Sequence, residues 1–190
     1  MKLYYLPGAC SLASHILLRE AGADFTLVQV ERGTGRTTDG GDYTAINPLG
    51  YVPALGETEH GILLENGAIL PFLAQKFGFV GIGGFHSMLQ EIGFLSTELH
   101  KAYSPFFKNP NIAGRDREGA ESQLHSRLGR YEQAYAGTDF NAAKAYAFVI
   151  TNWSAHVGVS LEKYPRINAM RDALSARRSV RAAMAAEGLS

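Results

Sequence analysis

The segment Lys2-Leu3-Tyr4-Tyr5-Leu6-Pro7-Gly8-Ala9-Cys10-Ser11-Leu12-Ala13 changes its structural signal midway. Residues 2–6 have the aromatic and aliphatic content of a β-strand, and Pro7-Gly8 stops it. From Ser11, Leu12, His15, Ile16 and Arg19 follow helical spacing, with Gly22 as the stop. Residues 25–30 read as a second strand. A strand, a helix and a strand in close succession predict a parallel pair joined by a crossover.

Working outward, residues 31–43 are polar and glycine-rich, and predict a mobile loop with little regular structure. Asn47-Pro48-Leu49-Gly50 is a turn, and Tyr51-Val52-Pro53-Ala54-Leu55 leads into another strand. Residues 56–61 are turn-like, and Ile62-Leu63-Leu64 returns as the hairpin partner. Asn66 is expected to cap a helix reaching Phe77, with Ile69, Leu70, Leu73 and Phe77 on its apolar face. Residues 78–85 read as a linker. Beyond them only helical spacing persists, over residues 88–107, 115–136, 141–157 and 165 to the end. The expected architecture is α/β plus all-α: a βαβ-ββα domain with a mixed sheet (1–78), then an all-helical domain (86–190).

Composition excludes more than it assigns. The chain has 190 residues, 46% of them hydrophobic, and 18 basic residues balance 18 acidic ones. No Lys/Arg run offers the basic stripe a nucleic-acid partner requires. The one basic cluster, Arg177, Arg178 and Arg181, reads as the solvated face of a terminal helix. No apolar run approaches the ~20 residues that cross a bilayer, and residues 1–6 start a strand rather than a signal sequence. A single cysteine rules out an intrachain disulfide and predicts a reduced, cytoplasmic protein.

Three short segments carry chemistry. Cys10 and Ser11 fall where a strand gives way to a helix, and free N–H groups with the helix dipole there favour a thiolate. The competing reading is a small buried cysteine. Val52-Pro53 is restrained toward extended geometry, as a ligand-facing backbone or an ordinary turn. Glu65-Asn66, at a helix start, offers N–H donors for an anion beside a carboxylate for a cation. The plain alternative is a capped helix with an acidic neighbour.

These segments, with Leu64-Glu65-Asn66-Gly67-Ala68-Ile69-Leu70, Glu98-Leu99-His100-Lys101 and Glu187-Gly188-Leu189, resemble the glutathione S-transferase family, and within it the bacterial beta class. The resemblance covers nearly the whole chain. It implies a thioredoxin-like first domain, glutathione as co-substrate, a hydrophobic electrophile, no metal, and a homodimer. It places Cys10 beside the glutathione sulfur, able to form a mixed disulfide, with Ser11 and His100 as further catalytic residues. Tyr51, Val52 and Pro53, the last in a cis peptide bond, hold the cysteinyl portion of the ligand. Glu65 and Asn66 take the γ-glutamyl zwitterion, Arg36 meets the glycyl carboxylate, and Lys101 accompanies His100. The implied activity is conjugation of glutathione to hydrophobic electrophiles, with thiol-disulfide exchange through Cys10 beside it. The alternative is a non-catalytic binding or regulatory protein of the same family.

Several positions depart from that pattern. Gly67 replaces proline or alanine, and Pro71 falls inside the following helix. Glu91 and Gly93 stand where the class carries Trp and Asn. Lys144 stands where an acidic residue completes a capping box with the residue at Asn141. Lys144 also puts a positive charge near a helix start, and the lost box is expected to cost about 1 kcal/mol, recoverable by Lys144→Asp.

Overall fold

The computed structural model describes residues 1–189. Strands β1 (Lys2–Tyr5), β2 (Thr26–Gln29), β3 (Ala54–Thr58) and β4 (Gly61–Leu64) form one sheet in the order β2-β1-β3-β4. β1 runs parallel to β2, with Leu3 opposite Leu27, and antiparallel to β3, with Leu3 opposite Leu55. This is the mixed sheet expected from the element order. Alternation sorts its two faces. Leu3 and Leu55 enter the main core with Ile16, Leu17, Ile69 and Leu73 from helices α1 (Leu12–Glu20) and α2 (Asn66–Phe77). Ala54 joins Val30 and Tyr43 in a smaller cluster, packed by Tyr4.

That second cluster corrects the reading of residues 31–43 as a loop of little structure. Tyr43 is fully buried, its ring tilted 39° to that of Tyr4 with 5.5 Å between centres. Backbone bonds from Glu31 to Arg36 (2.8 Å), Thr37 to Gly41 (2.9 Å) and Tyr43 to Gly35 (2.8 Å) fold the connection on itself. The third strand also starts later than expected, at Ala54, and runs through Gly56 to Thr58. Pro53 has no amide to give a ladder, so pairing begins after it.

Asn66 is the first helical residue of α2, not its cap. Glu65 holds the cap position, at φ 67° and ψ 130°. Pro71 lies buried inside α2, where it denies an amide to the carbonyl of Gly67. Gly67 is exposed, so water can serve that carbonyl. The two departures sit on one turn, and the exposure of Gly67 limits what Pro71 costs there.

The other regular elements among the described residues are helical: α3 (Gly84–Phe94), a π-helical stretch (Leu95–Leu99), α4 (His100–Ala102), α5 (Ser104–Lys108), α6 (Gly114–Ala134), α7 (Ala142–Val157), α8 (Pro165–Ser175) and α9 (Arg178–Ala186). The last predicted helix is thus two. Arg177 is extended between them; its guanidinium pairs with Glu20 and lies 4.1 Å from the centre of the Phe140 ring. It joins α9 to the end of α1 while staying partly exposed, whereas Arg178 and Arg181 are exposed as expected. Residues 78–85 are likewise engaged: the Phe79 carbonyl accepts from Ala142 N (3.0 Å), and its ring meets Phe140 edge-on.

Helix α7 is the buried axis of the molecule, with residues 142–151 all enclosed. Asn141 caps it as expected, accepting from Lys144 N at 2.9 Å. The expectation for the Lys144 side chain fails. Its ammonium reaches Glu91 on α3 at 2.6 Å, and Tyr131 on α6 donates to the other oxygen of the same carboxylate, also at 2.6 Å. Both charged residues are buried. Lys144 and Glu91 are therefore two halves of one ion pair, and Lys144→Asp would set two carboxylates together in the core.

Candidate active site

The turn after β1 is built to present Cys10. Ser11 is fully buried and braces the turn, accepting from Leu6 N (3.2 Å) and donating to Leu6 O (3.3 Å). Gly8 adopts φ +69°, a left-handed conformation that side chains disfavour. Its carbonyl accepts from the Trp153 indole at 2.9 Å, and its amide donates to Glu187 at 3.0 Å. The second oxygen of Glu187 lies 2.8 Å from Nδ1 of His15, and both side chains are fully buried. Helices α7 and α1 and the segment after α9 thus hold one short turn.

Around Cys10 the predicted ligand-side residues converge. Its thiol donates to the Val52 carbonyl at 3.2 Å, and the Val52–Pro53 peptide bond is cis. Asn66 donates to the Cys10 carbonyl at 2.9 Å and accepts from Ser14 at 3.1 Å, so its side chain joins α1 to α2 rather than capping. Glu65 is exposed beside it. Pro53 is buried behind Val52. Tyr51 is 66% exposed, and its carbonyl is held by Tyr43 and Asn47, both at 2.7 Å.

The electrostatics correct the expectation of a thiolate. Burial pushes the Cys10 thiol up to about 12, and the nearby Glu65 charge adds to the rise. The Cys10 and Ser11 backbone amides oppose it, as their place at a helix start predicts, but desolvation outweighs them. In this state Cys10 is a neutral hydrogen-bond donor.

Cys10 and Gly8 form one side of a cleft of about 1150 Å³. His100, Phe106, Phe107 and Trp153 are among the residues on its other walls. Trp153 stands edge-on to Phe107, 5.3 Å between centres, and lies 4.8 Å from His100. His100 Nδ1 is 2.7 Å from the Tyr146 hydroxyl. Burial, with a smaller contribution from Lys101, lowers the His100 pKa to about 4, so its ring is neutral at pH 7. Lys101 itself is exposed and does not line the cleft.

Arg36 does not line it either, because its guanidinium donates to the Gly40 carbonyl (3.0 Å) within its own folded connection. Arg32 faces the cleft instead, as does Arg117 of α6. Sequence reasoning missed both, and also Trp153, Tyr146 and the Glu187 side chain. Trp153 is the single tryptophan of the chain, the one signal that could have singled it out. Among the described residues there is no cluster of side chains able to hold a metal ion, and no helix long and apolar enough to cross a membrane.

Residues 1–75 match the sequence model of the glutathione S-transferase N-terminal domain. The whole chain is 37% identical, over 201 aligned positions covering all of both chains, to glutathione S-transferase GstA of Escherichia coli O157:H7. Two solved structures superpose over the full length of both chains, each at 37% identity. One is a sphingomonad glutathione S-transferase complexed with glutathione (TM-score 0.90), the other the bacterial beta class enzyme of Sphingomonas chungbukensis (TM-score 0.89). A thioredoxin-like sheet domain, a helical region stacked on it and full-length identity of this order agree: the chain belongs to the glutathione S-transferase family, and to its bacterial beta class.

Proposed function

We propose that the protein conjugates glutathione, through its sulfur, to hydrophobic electrophiles. The observation that carries this reading is the convergence of Cys10, Val52, Glu65 and Asn66 at the edge of a large cleft whose opposite wall is aromatic. A sphingomonad relative with the same fold binds glutathione. Here the cysteinyl portion would pair with Val52 as an added strand, beside Pro53 and Tyr51. The γ-glutamyl carboxylate would meet the free amides that open α2, and its ammonium would meet Glu65. Cys10, as a neutral donor, can turn its S–H from Val52 to the ligand sulfur and stabilise it as a thiolate. That sulfur then bonds to the electrophilic carbon, the leaving group departs with its electron pair, and the thiol proton passes to solvent. Ser11 acts through the turn it braces, and His100 shapes the cleft as a neutral ring.

The division into residues 1–78 for glutathione and 86–190 for the electrophile is part of this reading. So are a homodimer, to which exposed Leu49, Tyr51 and Ile62 offer apolar surface, and a cytoplasmic setting for the single free thiol. Two of the departures that motivate a non-catalytic reading lie elsewhere, since Glu91 and Lys144 satisfy each other away from Cys10; Gly67 and Pro71 lie on α2, beside Asn66. The test is retention on immobilised glutathione followed by turnover of 1-chloro-2,4-dinitrobenzene. We expect both. Retention without turnover would replace conjugation by ligand holding. Cys10→Ala should lose thiol-disulfide exchange and keep much of the conjugation; loss of both at unchanged glutathione affinity would refute these roles.

A further inference from the structure

The charge on the cleft walls has one sign. Arg32, from the connection after β2, and Arg117 of α6 both line it, with His156 of α7 beside them, and no described Asp or Glu does. Glu121 pairs with Arg117 at 2.8 Å and offsets part of its charge, yet does not itself line the cleft. Arg32 makes no ion pair among the described residues. Arg117 is positioned rather than loose: it donates to the Val157 carbonyl at 3.1 Å and sits 5.6 Å from the centre of the Phe106 ring. Arg117 therefore borders the aromatic wall of Phe106, Phe107 and Trp153, and Arg32 lines the same cleft. Phe107 and Trp153 meet edge to face at 89°, an aromatic corner against which a substrate ring can pack, and a cleft lined by one sign of charge in low-dielectric surroundings concentrates the opposite sign.

We infer that the preferred electrophiles are aromatic rings carrying a carboxylate, with the ring on the Phe107–Trp153 wall and the carboxylate toward Arg117 and Arg32. This rests on the conjugation reading above and adds the substrate class to it. For an aryl chloride, the glutathione sulfur bonds to the ring carbon, chloride leaves with the bonding pair, and the thiol proton is released.

The test compares 4-chloro-3-nitrobenzoate with 4-chloro-3-nitrobenzamide, which differ in charge at nearly equal shape. Each kcat/KM is divided by the uncatalysed rate with glutathione, so that intrinsic ring reactivity cancels. The carboxylate should be favoured about tenfold at low salt, and the preference should shrink toward unity at high ionic strength. Arg32→Gln and Arg117→Gln should each reduce the ratio. Because the ratio is taken within one preparation, loss of folded protein does not move it. A ratio of one or less, with 1-chloro-2,4-dinitrobenzene still turned over, overturns this inference and leaves conjugation standing. A preference kept by both variants overturns the assignment to these arginines, as does an Arg32→Gln variant that changes only the KM for glutathione. Absence of turnover with all three compounds overturns both readings together.

Discussion

At the scale of single residues, Cys10 was legible in place but not in charge. Pro7-Gly8 before it and helical spacing after it located the turn in the sequence. The desolvation that decides its protonation comes from elements distant in the chain, with Val52 and Glu65 at the site. In the glutathione-free protein, alkylation by iodoacetamide should be slow and should still climb about tenfold per pH unit from pH 7 to 9, because the thiolate fraction keeps rising far below the pKa. A fast rate that levels off as pH approaches 9, as an ordinary thiol of pKa about 8.5 gives, would contradict the buried-donor picture. His100 yields a second expectation. Its pKa is about 4 in the fold against about 6.5 unfolded. Above pH 6.5 the ring is neutral in both states. As pH falls toward 4 the unfolded chain takes the proton first, so stability drops, by at most about 3 kcal/mol. His100→Gln should remove that share of the decline in urea titrations at pH 7 and 4.5. Equal declines in the two proteins would show that His100 is not held neutral.

At the scale of elements, strands and helices were readable because period and punctuation are local. What joins them was not. Glu91 and Lys144 lie 53 residues apart, and each looks like a loss when read alone. Side by side between α3 and α7, with Tyr131 completing the carboxylate, they form one buried polar unit. Removing one partner strands the other, whereas removing both does not. Lys144→Met should cost about 3–5 kcal/mol, and the Glu91→Leu/Lys144→Met pair should recover most of it. Desolvation already raises the Glu91 pKa against the pull of Lys144. In the single variant that pull is gone, so Glu91 is more readily protonated in the fold and the deficit should shrink as pH falls. Additive costs in the double variant would dissolve the unit. Lys144→Asp, attractive from the sequence as a repaired capping box, should lower the melting temperature.

At the scale of the whole molecule, the turn bearing Cys10 is held by residues from opposite ends of the fold. Glu187 lies 179 residues from Gly8, a separation no local pattern can reveal, although Glu187-Gly188-Leu189 was recognisable as a motif. Its carboxylate serves the part-buried Gly8 amide and the buried His15 ring, and Arg19 closes the chain of contacts by donating to His15 Nε2 at 3.2 Å. Glu187→Ala leaves both groups without their partner in the interior, at a cost of about 3 kcal/mol. If Glu187 merely packs the last described residues in place, only stability should fall. The geometry demands more, because Gly8 and Cys10 share one turn and the thiol bonds to Val52 only while that turn keeps its shape. Glu187→Ala should therefore also speed alkylation of Cys10 and raise the KM for glutathione, at temperatures where the variant remains folded. Glu187→Gln, which keeps an acceptor for Gly8, should restore much of the KM. Unchanged thiol reactivity in a destabilised Glu187→Ala protein would separate the two ends of the fold and reduce Glu187 to a structural anchor.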